Sequence, residues 1–221
     1  MPNNAPKKKF AVILSGCGHQ DGSEIHEATM SLLAIERAGG SYKCFAPDCP
    51  QHHVTNHATG KIEKDLTRNV LAESARIARG RCKNLKEFNA REYDGLLMPG
   101  GYGAALNLCT FALDGVKCSV NPDVEQAVRS MHQAKKPIGA LCIAPVILGK
   151  VLGHVQLTAG DDEGVNQALR AMGAAPRNTR AEEVVVDEIN KIVTGPCYML
   201  ESNIIEIANG AQNVVNAMLK L

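Results

Sequence analysis

Two hydrophobic periods run through this chain: short unbroken apolar runs, and longer stretches with apolar residues three and four apart. Phe10 to Leu14 is a run of the first kind that enters the turn Ser15-Gly-Cys-Gly18, and it predicts a buried parallel strand. Glu24 to Arg37 is of the second kind, with Ile25, Ala28, Leu32, Leu33 and Ile35 at helical spacing, Ser23 as expected N-cap and Gly39-Gly40 as the stop. Ser41 to Ala46 predicts a second strand, followed by a long polar loop containing Pro47, Pro50, His52, His53 and Gly60. Leu66 to Ala78 has helical spacing, and Tyr93 to Pro99 leads a third strand into Gly100-Gly101-Tyr102-Gly103. Asn121 and Pro122 suit the cap and first turn of a helix reaching about Ala134. Pro137 to Cys142 is a fourth strand, and Ala144-Pro145 opens a helix to about Val151. A strand at 155–158, a helix at 164–172, a hairpin pairing 183–187 with 191–194 and a terminal helix from about Asn203 to Leu219 complete the pattern.

Alternating strands and helices imply a mostly parallel sheet covered on both faces, and 221 residues suit one such domain. Ligands of these folds bind beyond the carboxyl ends of the strands. Three glycine-bearing loops converge there, after Leu14, after Met98 and after Leu141.

Composition narrows the partners. With 24 Lys+Arg against 23 Asp+Glu the net charge is +1, too little to attract nucleic acid or an anionic membrane through a global field. No apolar run approaches the roughly 20 residues that span a bilayer. The basic tracts Lys7-Lys8-Lys9 and Arg76 to Lys86 lack interleaved aromatics, and four Tyr, four Phe and no Trp leave little on which to stack bases. These tracts read as solvated faces. The polar start, Met1 to Phe10, has no apolar stretch of the kind a signal peptide needs, so the protein is expected to begin near Met1. Eight cysteines without a secretory segment or regular spacing are expected to be mostly reduced thiols of a cytoplasmic protein.

Among those thiols, Cys142 stands out by position. A residue on a tight strand-to-helix turn projects into the crevice, and the N-terminus of the following helix is expected to favour its thiolate. The N–H of Ile143 is then placed to stabilise an oxyanion, and the Gly100-Gly101 turn offers a second backbone donor. Glu27, in the first turn of its helix, faces the same crevice if the first strand lies beside the Cys142 strand. As a protonated carboxyl it would hydrogen-bond the thiolate and shuttle protons; as a plain structural residue it would, like Glu24, complement the helix dipole. His19 and His26 neighbour it and are candidate pocket residues. Cys17 is a candidate second thiol near Cys142, or a core thiol under the turn. Cys49, His52, His53 and His57 superficially suit zinc, but they form one cluster rather than two pairs, and adjacent His52 and His53 point apart in an extended loop. No metal is expected.

The motifs Pro99-Gly-Gly101, Ala140-Leu-Cys-Ile-Ala-Pro145 and Glu27 upstream of Glu36-Arg-Ala-Gly39 resemble the class I amidotransferase-like superfamily that includes PfpI-type proteases and DJ deglycases. Ser15 to Glu27, Asn56-His57, Thr67 to Val70, Lys191 to Thr194 and Tyr198-Met-Leu200 resemble its ElbB branch, the isoprenoid-biosynthesis proteins with an amidotransferase-like domain. The resemblance covers nearly the whole chain. It implies a flavodoxin-like three-layer α/β/α sandwich, a homodimer, and a cofactor-independent glyoxalase converting methylglyoxal or glyoxal to lactate or glycolate. Carried over, the elbow nucleophile is Cys142, the thiol-facing acid Glu27, and the oxyanion donors Gly101 and Ile143.

Departures from the superfamily pattern restrict the chemistry. PfpI-type proteases place His directly after the nucleophile, where this chain has Ile143; glutaminases use a downstream His-x-Glu, where His154 is followed by Val155 and Gln156. Neither peptidase nor glutaminase activity is expected. A thiol adding to a small dicarbonyl with an acid to move protons needs no triad. The competing reading is a redox-sensing or ligand-binding protein that uses the same low-pKa Cys142 without turnover, and would tolerate Gln at position 27.

Overall fold

The structure is a computed structural model and describes residues 7–221; the first six residues, and with them the expected start of the chain, lie outside that range. In chain order the elements are β1 (Lys9–Ile13), α1 (Ile25–Arg37), β2 (Ser41–Ala46), β3 (Thr55–Asn56), β4 (Lys61–Ile62), α2 (Val70–Ile77), β5 (Cys82–Asn84), β6 (Gly95–Met98), α3 (Tyr102–Leu106) and α4 (Phe111–Asp114). There follow α5 (Pro122–Gln133), β7 (Ile138–Leu141), α6 (Pro145–Leu152), β8 (Gln156–Leu157), α7 (Glu163–Ala171), β9 (Ala175–Pro176), β10 (Val185–Asp187), β11 (Ile192–Gly195) and α8 (Ile204–Met218).

A seven-stranded sheet in the order β10-β11-β7-β6-β1-β2-β5 forms the middle layer. Its strands are parallel except β10, which runs antiparallel to β11 as the predicted hairpin. Because helices cover both faces, the central strands are buried on each side and read as unbroken apolar runs. Phe10, Val12 and Leu14 pack with Ala28, Ile35, Ile207 and Val214 of α1 and α8; Ala11 and Ile13 point the other way, to the cluster holding Val128 and Met131 of α5 and Ile147 of α6. This is the flavodoxin-like three-layer arrangement.

Several local details differ from the sequence reading, each for an identifiable reason. Ser23 does not cap α1, because its hydroxyl accepts the Ser15 N–H at 2.8 Å and ties the first glycine turn. Glu24 caps instead, its carboxylate accepting the Glu27 N–H at 2.7 Å. Ile25 and Leu33 of that helix are 44% and 36% exposed, so the apolar stripe is narrower than its spacing suggested. The second helix begins at Val70 rather than Leu66, because the segment before it is tied to the preceding loop. The Gln51 N–H donates to the Arg68 carbonyl at 2.8 Å, and Asn69 caps the helix by accepting from the Ala72 N–H at 3.0 Å. The edge strand β5 and the single-turn helices α3 and α4 are too short to carry a period.

The terminal helix α8, which packs on α1, starts with a reciprocal capping box: Asn203 accepts the Glu206 N–H at 3.1 Å while Glu206 accepts the Asn203 N–H at 2.8 Å. Asn203→Ala should lower stability by about 1 kcal/mol, read as a lower urea midpoint with an unchanged slope.

Candidate active site

Three strand ends build the site. At the first, β7 delivers Cys142 into a left-handed backbone conformation (φ 59°), which an L-residue adopts at a cost of roughly 1–2 kcal/mol. Its N–H is held by the Gly195 carbonyl at 2.9 Å, at the end of β11, and Ala144-Pro145 then start α6. The side chain is thus presented at an elbow and packed among buried residues, with Cys142 only 7% exposed.

The turn after β6 supplies the second wall. A Cβ on Gly100 would lie 2.4 Å from the Cys142 Cβ and 2.8 Å from a Glu27 carboxylate oxygen, so only glycine admits this approach. Gly101 has φ 94°, and a Cβ there would meet the Glu24 nitrogen at 2.3 Å. The Gly100 carbonyl accepts the Glu24 N–H at 2.9 Å, which pins this turn to the start of α1.

Glu27 reaches the elbow from α1. The sequence reading required β1 to lie beside the Cys142 strand; in fact β6 separates them. Glu27 meets the thiol nonetheless, because the Gly100 turn that follows β6 has no side chain to block it. One carboxylate oxygen accepts the Gly100 N–H at 2.9 Å and the other the Tyr198 N–H at 3.2 Å. Complete burial, with the charge of Glu24 pushing the same way, raises the Glu27 carboxyl to about 8 against these two hydrogen bonds and one to Cys142. Glu27 is therefore a neutral acid at neutral pH.

The thiol itself departs from expectation. Burial holds Cys142 well above the ordinary thiol range and the charge of Glu27 adds to it, while the nearby backbone N–H groups of Gly101 and Ile143 pull the other way. The helix N-terminus does not outweigh desolvation, so the resting residue is a thiol rather than the expected low-pKa thiolate. When Glu27 carries its proton the repulsion is gone, and its carboxyl becomes a donor to sulfur.

Above the sulfur lies a cleft of about 660 Å³ lined by Cys142, Ile143, Gly101, His19, His26, Glu24, Tyr102, Phe111, Asp162, Val165, Tyr198 and Met199 among others. His19 and His26, both candidates from sequence, are on its wall; His26 Nδ1 lies 2.9 Å from the Tyr198 hydroxyl and the His19 ring stands edge-on to His57 at 5.2 Å. Gly100 sits beneath, against Cys142 and Glu27. Cys17 is not part of the cleft lining. It lies toward α2, where burial raises its thiol, the charge of Glu73 adds to that and the charge of Arg76 opposes it. Among the described residues no group of three or more His, Cys, Asp and Glu is placed to hold a metal ion. Tyr198 and Met199, which follow β11, and the α4 residue Phe111 were not singled out as site residues from sequence. The first two could have been found, since they follow a strand at the same sheet end, whereas Phe111 carries no such signal.

A model of the DJ-1/PfpI family matches residues 19–196. The chain belongs to that family. A crystal structure of an isoprenoid biosynthesis protein with amidotransferase-like domain from Ehrlichia chaffeensis superposes with a TM-score of 0.89 at 35% identity, covering 96% of this chain and 99% of that one. The chain is 44% identical to the rat mitochondrial ES1 protein homolog over 98% of its length and 85% of the relative's. It is equally 44% identical to the human mitochondrial glutamine amidotransferase-like class 1 domain-containing protein 3, over 98% of this chain and 84% of that one. These family members are named mitochondrial, which overturns the expectation of a cytoplasmic protein.

The raised Glu27 carboxyl has a measurable consequence. Between its ordinary value of 4.5 and about 8 the folded state binds a proton that the unfolded chain does not. Its contribution to stability is therefore complete below that window and lost as pH rises through it, at up to about 1.4 kcal/mol per pH unit. Glu27→Gln should flatten that fall in urea unfolding measured between about pH 5.5 and 7.5.

Proposed function

We propose that this protein is a cofactor-independent glyoxalase that converts methylglyoxal to lactate, or glyoxal to glycolate. The observation that carries the reading is the juxtaposition of a fully buried, neutral Glu27 and the elbow thiol Cys142 over Gly100, where one added Cβ would lie 2.8 Å from the carboxylate oxygen and 2.9 Å from the sulfur, with the backbone N–H groups of Gly101 and Ile143 close by. The same site chemistry is implied by the likeness to the ElbB branch, although identity to the ES1 proteins is higher than to the Ehrlichia protein. A solved structure named glyoxalase III, from Candida albicans, shares the fold with a TM-score of 0.62 at 14% identity.

Release of one proton leaves a Cys142 thiolate hydrogen-bonded by the Glu27 carboxyl. Sulfur bonds to the aldehyde carbon, and the oxygen takes the Glu27 proton beside the Gly101 and Ile143 N–H groups, giving a hemithioacetal. The Glu27 carboxylate then removes the hydrogen from that carbon to form an enediolate and returns a proton to the neighbouring carbon. The hydroxyl proton moves to the second oxygen, which leaves a thioester of the hydroxy acid. Water cleaves the thioester and restores the thiol. No redox partner is needed, because one carbon is oxidised as its neighbour is reduced. A small dicarbonyl substrate and a homodimer belong to this proposal. The sensing alternative is disfavoured by the same burial, since a raised thiol reacts slowly with peroxide.

Purified protein supplied with methylglyoxal and no glutathione should form lactate, and Cys142→Ser and Glu27→Gln, each shown folded by circular dichroism, should lower the rate at least about 100-fold. An inert wild type, or a Glu27→Gln variant that retains full activity, would overturn the assignment.

A further inference from the structure

The cleft over Cys142 is much larger than methylglyoxal. That molecule has five non-hydrogen atoms, whereas a volume of about 660 Å³ falls in the roughly 300–1,000 Å³ range of sites that enclose ligands several times its size. The two halves of the cleft also differ. On the face covered by α1 and α8 its wall is polar, with Glu24, His26 and Tyr198, and the last two are joined at 2.9 Å. On the opposite face Phe111 and Val165 pack against the cluster under α5 and α6, and Ile143 packs against the clusters of both faces. Phe111 arrives there on a fold-back in which the Thr110 N–H donates to the Ser119 carbonyl at 2.9 Å. Val165 belongs to the first turn of α7, and its N–H donates to the Asp162 carboxylate at 2.8 Å, which sets that carboxylate beside the apolar wall.

Charge is distributed unevenly as well. Glu24 and Asp162 are the acidic residues of the lining, which contains neither Lys nor Arg. Among the described residues neither carboxylate has a cationic partner. Each caps a helix N-terminus, which offsets part of its charge, but an anionic group on a ligand at that end would meet no cation. At the elbow the situation is reversed, because the N–H groups of Gly101 and Ile143 favour negative charge on the reacting oxygen.

Building on the glyoxalase reading, we propose that the substrate is a 2-oxoaldehyde whose ketone carbon bears an uncharged apolar arm of about aromatic-ring size, seated against Phe111 and Val165, and that Asp162 excludes arms ending in a carboxylate or phosphate. The aldehyde carbon meets the Cys142 sulfur as methylglyoxal would, and the arm takes the place of the methyl group. A ring there removes apolar surface of both wall and ligand from water, a gain that a methyl group is too small to match. With phenylglyoxal as the probe, the reaction takes up one water and yields mandelate, one carbon being oxidised as its neighbour is reduced.

The test compares kcat/KM for hydroxy-acid formation from methylglyoxal, phenylglyoxal and 4-carboxyphenylglyoxal, each supplied without glutathione and followed by chromatography. Wild type should favour phenylglyoxal over methylglyoxal at least about tenfold, chiefly through a lower KM, and should disfavour the carboxylated ring by a similar factor. Phe111→Ala should reduce the phenylglyoxal-to-methylglyoxal ratio at least about fivefold. Asp162→Asn, which keeps a capping oxygen for α7, should narrow the penalty on the carboxylated ring. Wild type that uses methylglyoxal as well as phenylglyoxal, or both aryl compounds equally, would overturn the proposal and leave the glyoxalase reading standing. Ratios unmoved by both substitutions would overturn it too, and turnover of none of the three compounds would overturn both readings.

Discussion

The carboxyl of Glu27 is the point at which three otherwise separate parts of the chain meet. It belongs to α1, accepts hydrogen bonds from the turn after β6 and from the segment after β11, and touches the thiol at the end of β7. A charged group in that position would face desolvation without a cation to offset it, so its proton is retained and the two N–H groups satisfy its oxygens. The nearby geometry serves this contact. Gly100 has no Cβ because one would occupy the space between acid and thiol, and Cys142 adopts a left-handed backbone to aim its sulfur at the same place.

The electrostatics separate holding a nucleophile from activating it. In an exposed elbow a helix N-terminus would be enough to ionise a thiol. Here burial outweighs it, and sulfur ionises only with its neighbour protonated. In the proposed reaction the same neutral acid, which no longer repels a thiolate, becomes the proton donor once a carbonyl lies beside the Gly101 and Ile143 N–H groups.

The layered fold was legible because its strands are buried on both faces and its long helices carry clear periods and caps, as Asn121-Pro122 and Asn203 illustrate. The elbow cysteine and the glycine turn opposite it were legible for a related reason: each follows a recognisable strand. What stayed hidden depends on contacts distant in sequence. The insertion of β6 between β1 and β7 has no local signature, and the competition of Ser15 for the Ser23 hydroxyl is set by the folded turn. The ionisation of Cys142 is hidden as well, because a helix N-terminus can be read from a sequence, whereas the depth of burial that opposes it cannot. Phe111 reaches the cleft only through a fold-back held by the Thr110 and Ser119 pairing.

The central claim is that Glu27 moves a proton between the two carbons of the substrate. Lactate formed from methylglyoxal in D2O and examined by proton NMR tests it without any substitution, because an acid that exchanges its proton with solvent delivers deuterium to carbon 2. The account predicts deuterium at carbon 2 in a measurable fraction of the lactate, the remainder carrying the substrate's own hydrogen returned by the buried acid, so that part of the methyl doublet collapses. Lactate with no deuterium at carbon 2 at all would mean that no exchangeable proton passes through an enediolate, as in a direct hydride shift, and would contradict the account.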